Sequence, residues 1–484
     1  MPELLLAIDA GTTTVRAALF GPDGAMVSLA SAPLFTRTPA PGQREQDAER
    51  VWRTVRKMMF GALEAAGRTL SDVAAIGVTS QRASAVLWDK RTSRPSTPLV
   101  LWNDLRGVAR AAELRDAGFF LAPQQSATKF EAMLHGVPQA RALVAAGDLA
   151  FGNIDAFLVW KLSGGASHAT DASQAWPSGY LDPSTWSWNA ALIAHQGLDE
   201  RMFPALVDTT GEIAVVTRKR FGAATPITAI IADQQSALIA HGGRAGDAKI
   251  TYGTSATLDI GTGEDLVFRS AAVPPFVLSR VGGRTLFCLE GMVLSAGAAL
   301  DWLRRAARLG GRARFEALAA SVENAGGVAF MPALDGLGAP APDPARTGLL
   351  AGLTQSVAAA HIARAALEGV AHRARQVFDH AFELAGLPPP EALGVDGGLT
   401  SNETFLQIQA DVLGRPIRRH AVREATALGA AICAGRGVKL LTEADAAAFV
   451  RYDAVFEPRI GADEAAARHR AWRLAVHGPS PAGG

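Results

Sequence analysis

The sequence predicts an α/β protein of two large domains, opened by antiparallel strands rather than by a βαβ unit. Three observations lead there. Residues 4–89 set out strand and helix patterns in the order β-β-β-α-β, whereas a dinucleotide-binding fold alternates strand and helix from its first strand. A Gly-Thr turn between two β-prone runs stands at Gly11 and again at Gly253, half of the 484 residues further on. The length, at roughly 150 residues per domain, suits two large domains or three smaller ones. The recurrence has two readings: two homologous halves, or two unrelated hairpins, since Gly-Thr pairs are common.

The elements follow in order. LLLAID is a first strand, AGTTT a turn in which Gly11 can take a positive φ, and VRAALF the return strand. GPDG marks a second turn, and AMVSLASAPL continues as a third strand. Residues 46–66 place Val51, Val55, Met58, Met59 and Leu63 at helical spacing, with Asp47 as the cap. AAIGVTSQ and SAVLWD return to strands. In the second half, residues 356–385 carry Ile362, Leu367, Val370, Val377 and Phe378 on one helical face. Residues 393–405 read as strand, glycine turn and helix start, with Ser401 or Asn402 near the cap. The Gly/Pro-rich stretch 331–348 is a loop, and HGPSPAGG at the end a disordered tail.

Composition excludes several classes. Lys+Arg is 47 and Asp+Glu 46, a net charge of +1, so nothing global draws the chain to nucleic acid or an anionic membrane. Hydrophobic residues at 49% and charged residues at 19% are globular values with ample core material. Two cysteines, Cys288 and Cys433, exclude a disulfide framework and a multi-cysteine zinc site. Both sit in apolar surroundings and act as small hydrophobes. The run in MPELLLAIDAG stops at Asp9 without a basic flank, and TPITAIIADQQSALIA is broken by Asp233 and two glutamines. A soluble, cytoplasmic protein is expected.

Candidate chemistry gathers at strand ends. Tight Gly-Thr turns present backbone N–H groups to anions, which makes Gly11, Gly253 and Gly397–Gly398 candidate phosphate contacts. No GxxxxGK[ST] and no GxGxxG after a first strand is present. Asp9 ends a strand beside the first turn, where a carboxylate can hold Mg2+ through water next to a triphosphate. Asp233 ends TAIIA, where an acid can accept a proton from an attacking hydroxyl. Capping a helix N-terminus is the alternative for each. Arg82 suits binding to oxygens and Trp102 the apolar face of a polyol, against a surface ion pair and core packing. HExxH, GxSxG, metal-spaced histidines and RNA-binding aromatic motifs are absent from the sequence.

Collinear segments from about residue 4 to 435 resemble the FGGY carbohydrate kinases, and among them the glycerol kinase branch in motifs. IDAGTTTVRA, GVTSQR, LWNDLRG, FGNIDAFLVWKLSG, HATDAS, ADQQSALIAHG, TYGTSA, LEGMVLSAGAALDWL, DGLGAPAPDPARTGLLAGLT and VDGGLTSNETFLQIQADVLGRPI carry the likeness. The resemblance implies two actin/hexokinase-like (ribonuclease H-like) domains with an interdomain ATP cleft. These would be residues 1–242 on the substrate side, 243–450 on the nucleotide side, and an extension over 451–484. It implies ATP and Mg2+ as cofactors and a small polyol or sugar as partner, with no nucleic acid or membrane. A homodimer or homotetramer is the expected assembly. By position, Thr12, Thr13 and Arg16 resemble first phosphate-loop contacts, and Gly253 and Thr254 second ones. Gly297, Gly398 and Asn402 resemble nucleotide positions. Asp9 resembles the metal-side carboxylate and Asp233 the general base. Arg82, Trp102, Asp233 and Gln234 resemble polyol-pocket positions.

The departures bear on the acceptor. Ala83 stands where the branch has Glu, Gln124 where it has Tyr, and Thr257 where it has Phe. One acidic acceptor and two aromatic walls are gone, so a longer polyol or sugar than glycerol is expected, because sites built around buried hydroxyls discriminate by factors of about 10⁴ or more. RKRFGAAT lacks the glycine-rich stretch through which bacterial glycerol kinases take sugar-phosphate inhibition, so that regulation is not expected. The alternatives are a pentulose or ketose kinase such as a xylulose kinase, a degenerate ATP-binding sensor, and an ATPase without a sugar pocket.

Overall fold

The computed structural model describes residues 3–478, so the end of the expected tail, 479–484, lies outside the described residues. The chain divides into two compact units. The first holds the chain up to Ala240 together with Phe276–Leu286 and Thr426–Phe449; the second holds His241–Pro275, Phe287–Ala425 and the chain from Val450 on.

In the first unit, β1 (Leu4–Ala10), β2 (Thr14–Phe20) and β3 (Met26–Pro33) form the expected antiparallel meander. Helix α1 (Ala48–Ala65) follows, then β4 (Val73–Ser80), β5 (Thr210–Val215), β6 (Pro226–Ala232) and α2 (Asp233–Ala240). The sheet order is β5-β6-β4-β1-β2-β3. Central β1 is buried from Leu5 to Ala10, whereas edge strand β3 alternates toward solvent. A strand with neighbours on both sides and helices on its faces needs a continuous apolar run, and an edge does not. Asp47 accepts the Arg50 N–H at 3.0 Å as the α1 cap, and Val51, Val55, Met58, Met59 and Leu63 are all buried.

The second unit repeats this plan. Its strands are β7 (Ala248–Tyr252), β8 (Ala256–Gly263), β9 (Arg284–Val293), β10 (Leu393–Asp396), β11 (Ile417–His420) and β12 (Tyr452–Phe456). They run β9-β8-β7-β10-β11-β12, and the same sheet has a seventh strand, Pro275–Val281, beyond β9. In each sheet a three-strand antiparallel meander meets two parallel strands and then one antiparallel strand. Shared order and shared senses favour the reading of two homologous halves over that of unrelated hairpins. Helices α3 (Gly297–Ala306), α4 (Ala359–Ala385) and α5 (Glu403–Leu413) belong to this unit. On α4, Leu367, Val370, Val377 and Phe378 are buried, with Ile362 packed at the margin of the core.

The helix Ala425–Gly437 packs inside the first unit through small residues. A Cβ on Gly429 would overlap the Ser236 carbonyl of α2, and one on Gly77 would overlap the Ala430 carbonyl. Thr228 Oγ1 donates to the Ala434 carbonyl at 2.9 Å. Backbones therefore touch where side chains would hold them apart. Both cysteines are buried, and burial pushes the Cys433 thiol up to about 12, which leaves it unreactive.

Candidate active site

The first Gly-Thr turn is braced by side chains. Gly11 donates its N–H to the Thr14 carbonyl at 3.1 Å. Contrary to the sequence expectation, Gly11 is not among the residues at positive φ. Glycine serves closeness here, since a Cβ would lie 3.2 Å from that carbonyl. Thr12 Oγ1 donates to Gln81 Oε1 at 3.0 Å and accepts from Trp102 Nε1 at 3.1 Å. Ser84 Oγ donates to the same Gln81 oxygen at 3.1 Å and accepts from the Trp102 backbone N–H at 3.0 Å. These four bonds close a ring through Thr12, Gln81, Ser84 and Trp102. Gln46 Nε2 adds a bond to the Thr12 carbonyl at 2.7 Å. The Thr12 hydroxyl proton is thus committed within the chain, while Thr13 is exposed. Asp9 on β1 faces Arg16 on β2 in register, with carboxylate and guanidinium 3.5 Å apart.

Around Asp233 the first unit assembles the acceptor candidates. Asp233 opens α2 directly after β6, and its carboxylate accepts the Gln234 N–H at 2.8 Å. Arg82 Nε lies 3.8 Å from that carboxylate. The Arg82 guanidinium also lies over the Phe276 ring, 4.4 Å from its centroid, a cation–π contact. Sequence reasoning missed Phe276: it counts aromatic walls lost near Gln124 and Thr257, and one ring returns from a distant strand. Ala83 is buried and takes φ +50, a left-handed conformation costly for any residue with a Cβ. Gln124 is exposed, and Trp102 half-buried.

A buried polar chain holds β6 in place behind Asp233. Ser173 Oγ accepts the Ala232 N–H at 2.9 Å and donates to Asp171 at 2.8 Å; Thr209 Oγ1 donates to the other Asp171 oxygen at 2.7 Å. Burial pushes the Asp171 carboxyl up to about 6 against these donors. Gln174 Nε2 bonds the carbonyl and hydroxyl of Ser80 at 3.1 and 3.0 Å, fixing the end of β4. The HATDAS segment and the Gln174 that follows it thus position strand ends. Asp171, Ser173 and Gln81 carry no motif signature beyond their place in those segments.

The second unit holds the remaining candidates: Gly253, Thr254, Thr257, Gly297, Gly398 and Asn402. Its Gly-Thr turn is braced by backbone. Gly253 donates to the Ser255 carbonyl at 2.8 Å, and Gly297, the first residue of α3, donates to the Gly253 carbonyl at 3.1 Å. A Cβ on Gly297 would sit 2.5 Å from that carbonyl. Gly397 takes φ +91, and a Cβ there would sit 2.5 Å from the Tyr252 carbonyl. Gly253, Thr254 and Gly398 are exposed. Asn402 caps α5, its side-chain oxygen accepting the Phe405 N–H at 2.9 Å. Thr257 is buried in β8, opposite Thr251 and Met292.

Two sheets of like order, each with a glycine turn at the end of its first strand, and a strand-end carboxylate beside an arginine frame the site. Comparison with known proteins agrees. The models of the FGGY family of carbohydrate kinases match here, the N-terminal domain over residues 4–240 and the C-terminal domain over 248–438. A glycerol kinase of Thermus brockianus is 38% identical over 485 residues, 98% of each chain. The crystal structure of Plasmodium falciparum glycerol kinase with ADP superposes with a TM-score of 0.88 at 26% identity, covering 98% of this chain and 97% of that one. A ligand-bound xylulose kinase from Lactobacillus acidophilus shares the fold at a TM-score of 0.82 and 21% identity, with 98% and 97% covered. The chain belongs to the FGGY family of carbohydrate kinases. It is a glycerol-kinase-like phosphotransferase acting on a sugar or polyol. Among the described residues, no helix is long and apolar enough to cross a membrane.

Proposed function

We propose that the chain transfers the γ-phosphoryl group of ATP to a primary hydroxyl of a polyol or sugar longer than glycerol. The observation that carries this is the Trp102 Nε1 to Thr12 Oγ1 bond of 3.1 Å, which ties a candidate acceptor wall to the first phosphate turn. Asp233 takes the hydroxyl proton. Arg82, 3.8 Å away and flattened against Phe276, offers its remaining face to acceptor oxygens. Trp102 covers the carbon face. Gln234 lines the same site. Ala83 and Gln124 leave room and polarity where a glycerol site would close tightly, while Phe276 keeps one apolar wall.

The phosphates fall to exposed Thr13, to Arg16 and the backbone of the first turn, and to Gly253, Thr254, Gly297 and Gly398 for the nucleotide. Asn402 contributes through the α5 start that it caps. Magnesium fits this residue set, because that ion keeps several waters and takes one or two carboxylates plus substrate phosphates. Asp9, nearly buried and 3.5 Å from Arg16, would hold it through water. When bound, the ion neutralises phosphate charge. Among the described residues no group of three or more acidic, His or Cys side chains forms a ready-made cage, and this role does not need one.

A panel of glycerol, tetritols, larger alditols, ketopentoses and a no-acceptor control, read by ADP release, tests the reading. Saturable turnover on one longer compound supports it; glycerol as the best substrate overturns the size argument. The D233N variant should lower kcat by roughly 10²–10⁴ with ATP binding retained. An unchanged kcat removes Asp233 as the base.

A further inference from the structure

We infer that Lys129 is a positioning residue for the acceptor wall, its ammonium pinning the loop of Trp102 to the loop of Gln124. The inference rests on the acceptor roles proposed above for those two residues. Lys129 is fully buried, at 0% exposure. Its Nζ donates to the carbonyls of Leu101 at 2.8 Å, Trp102 at 3.0 Å and Gln124 at 2.9 Å. An ammonium has three N–H donors and no acceptor, so these three carbonyls match it one for one. Two come from the segment after the strand Leu99–Val100 and one from the segment before the 3-10 turn Ser126–Thr128. Neither segment has a regular element to fix it at these carbonyls. A buried lysine held only by carbonyls is costly, and this one sits where both candidate acceptor segments meet.

The charged groups around it are engaged elsewhere. Asp104 accepts from Arg106 and the Arg44 N–H, Arg106 also pairs with Glu45, and Arg110 with Glu131. Asp104 raises and Arg106 lowers the lysine's proton affinity, and burial outweighs both, pulling the ammonium down to about 7. The neutral amine has two donors and a lone pair, so it drops one carbonyl and repels it. The pin therefore loosens as pH rises through neutrality.

Two measurements test this. In K129M, hydrogen–deuterium exchange should rise about tenfold or more in peptides covering 101–106 and 122–128, and stay unchanged in β1 and β4. The acceptor KM should rise about tenfold, the scale of one charge-assisted hydrogen bond, with the ATP KM within about twofold. The wild-type chain covers the case of a variant that does not fold: its acceptor KM should climb between pH 6 and 8.5 while its ATP KM stays flat. Unchanged exchange in the two peptides, or a flat wild-type acceptor KM, overturns the inference. A wild-type chain that phosphorylates no acceptor overturns the functional reading, and with it the acceptor part of this one, while exchange still decides whether the pin exists.

Discussion

The two Gly-Thr turns sit at matching places in sheets of matching order and each closes on a backbone bond of its own, yet what braces them differs. The first is held by side chains: Thr12, Gln46, Gln81, Ser84 and Trp102 surround it with hydrogen bonds. The second is held by backbone, with Gly253, Gly297 and Gly397 brought so close that no Cβ fits at the last two. Backbone amides treat every phosphate alike, whereas side chains can be exchanged one at a time. Arg82, Ala83, Trp102, Gln124 and Gln234 lie in the same unit as the side-chain turn, whereas Thr257 lies in the other.

Substitutions can break or sharpen this contrast. The largest effect is expected at Gly397. In G397A a left-handed alanine would press on the Tyr252 carbonyl, at a cost of about 3 kcal/mol in denaturant unfolding, with a raised ATP KM. In the first turn, G11A should cost about 1 kcal/mol or less, since its Cβ meets only a 3.2 Å contact at an ordinary φ. Equal costs would remove the contrast.

Next comes T12V, which deletes the hydroxyl that both donates to Gln81 and accepts from Trp102. A loss of about 2 kcal/mol is expected, together with a higher acceptor KM; T254V should leave stability near wild type. A smaller effect concerns pH. The Asp171 carboxyl is raised from 3.8 to about 6, so the folded chain binds its proton more tightly than the unfolded chain. Its stabilising contribution is full below about pH 4 and is lost as pH rises through about 6. D171N should flatten that segment of the stability–pH curve, and an unchanged slope would mean that other groups set it. Smallest is A83G, which relieves the left-handed alanine and should stabilise by about 0.5–1 kcal/mol.

What the sequence made legible is what local chemistry decides. The paired hairpins, the Asp47 cap, the buried stripe of α1 and the strand-end position of Asp233 all follow from spacing and propensity. Asn402 was legible as a position near a helix start, and the cap is what it makes. The misses are long-range. Phe276 reaches Arg82 from a strand almost two hundred positions away in sequence, and no local pattern announces it. Lys129 carries no sequence signal of its own, and only the fold closes three carbonyls over it. Gly11 was read for its freedom of φ, but the close Thr14 carbonyl is what a side chain would meet. Ala83 is legible as a small residue in place of an acid, but its left-handed backbone angle is visible only in the fold.

The helix Ala425–Gly437 has a consequence for how the protein is made. It completes the first unit by direct backbone contact with α2 and β4, yet it is synthesised after almost all of the second unit. A chain emerging from the ribosome at about 5–20 residues per second therefore presents a first unit lacking one of its walls while the second is still being translated. The faces around Gly77 and Ser236 must wait for this helix, which meets them only after residue 425 has been made. Early termination anywhere before residue 425 would leave the first unit without this wall, its uncovered apolar faces open to aggregation.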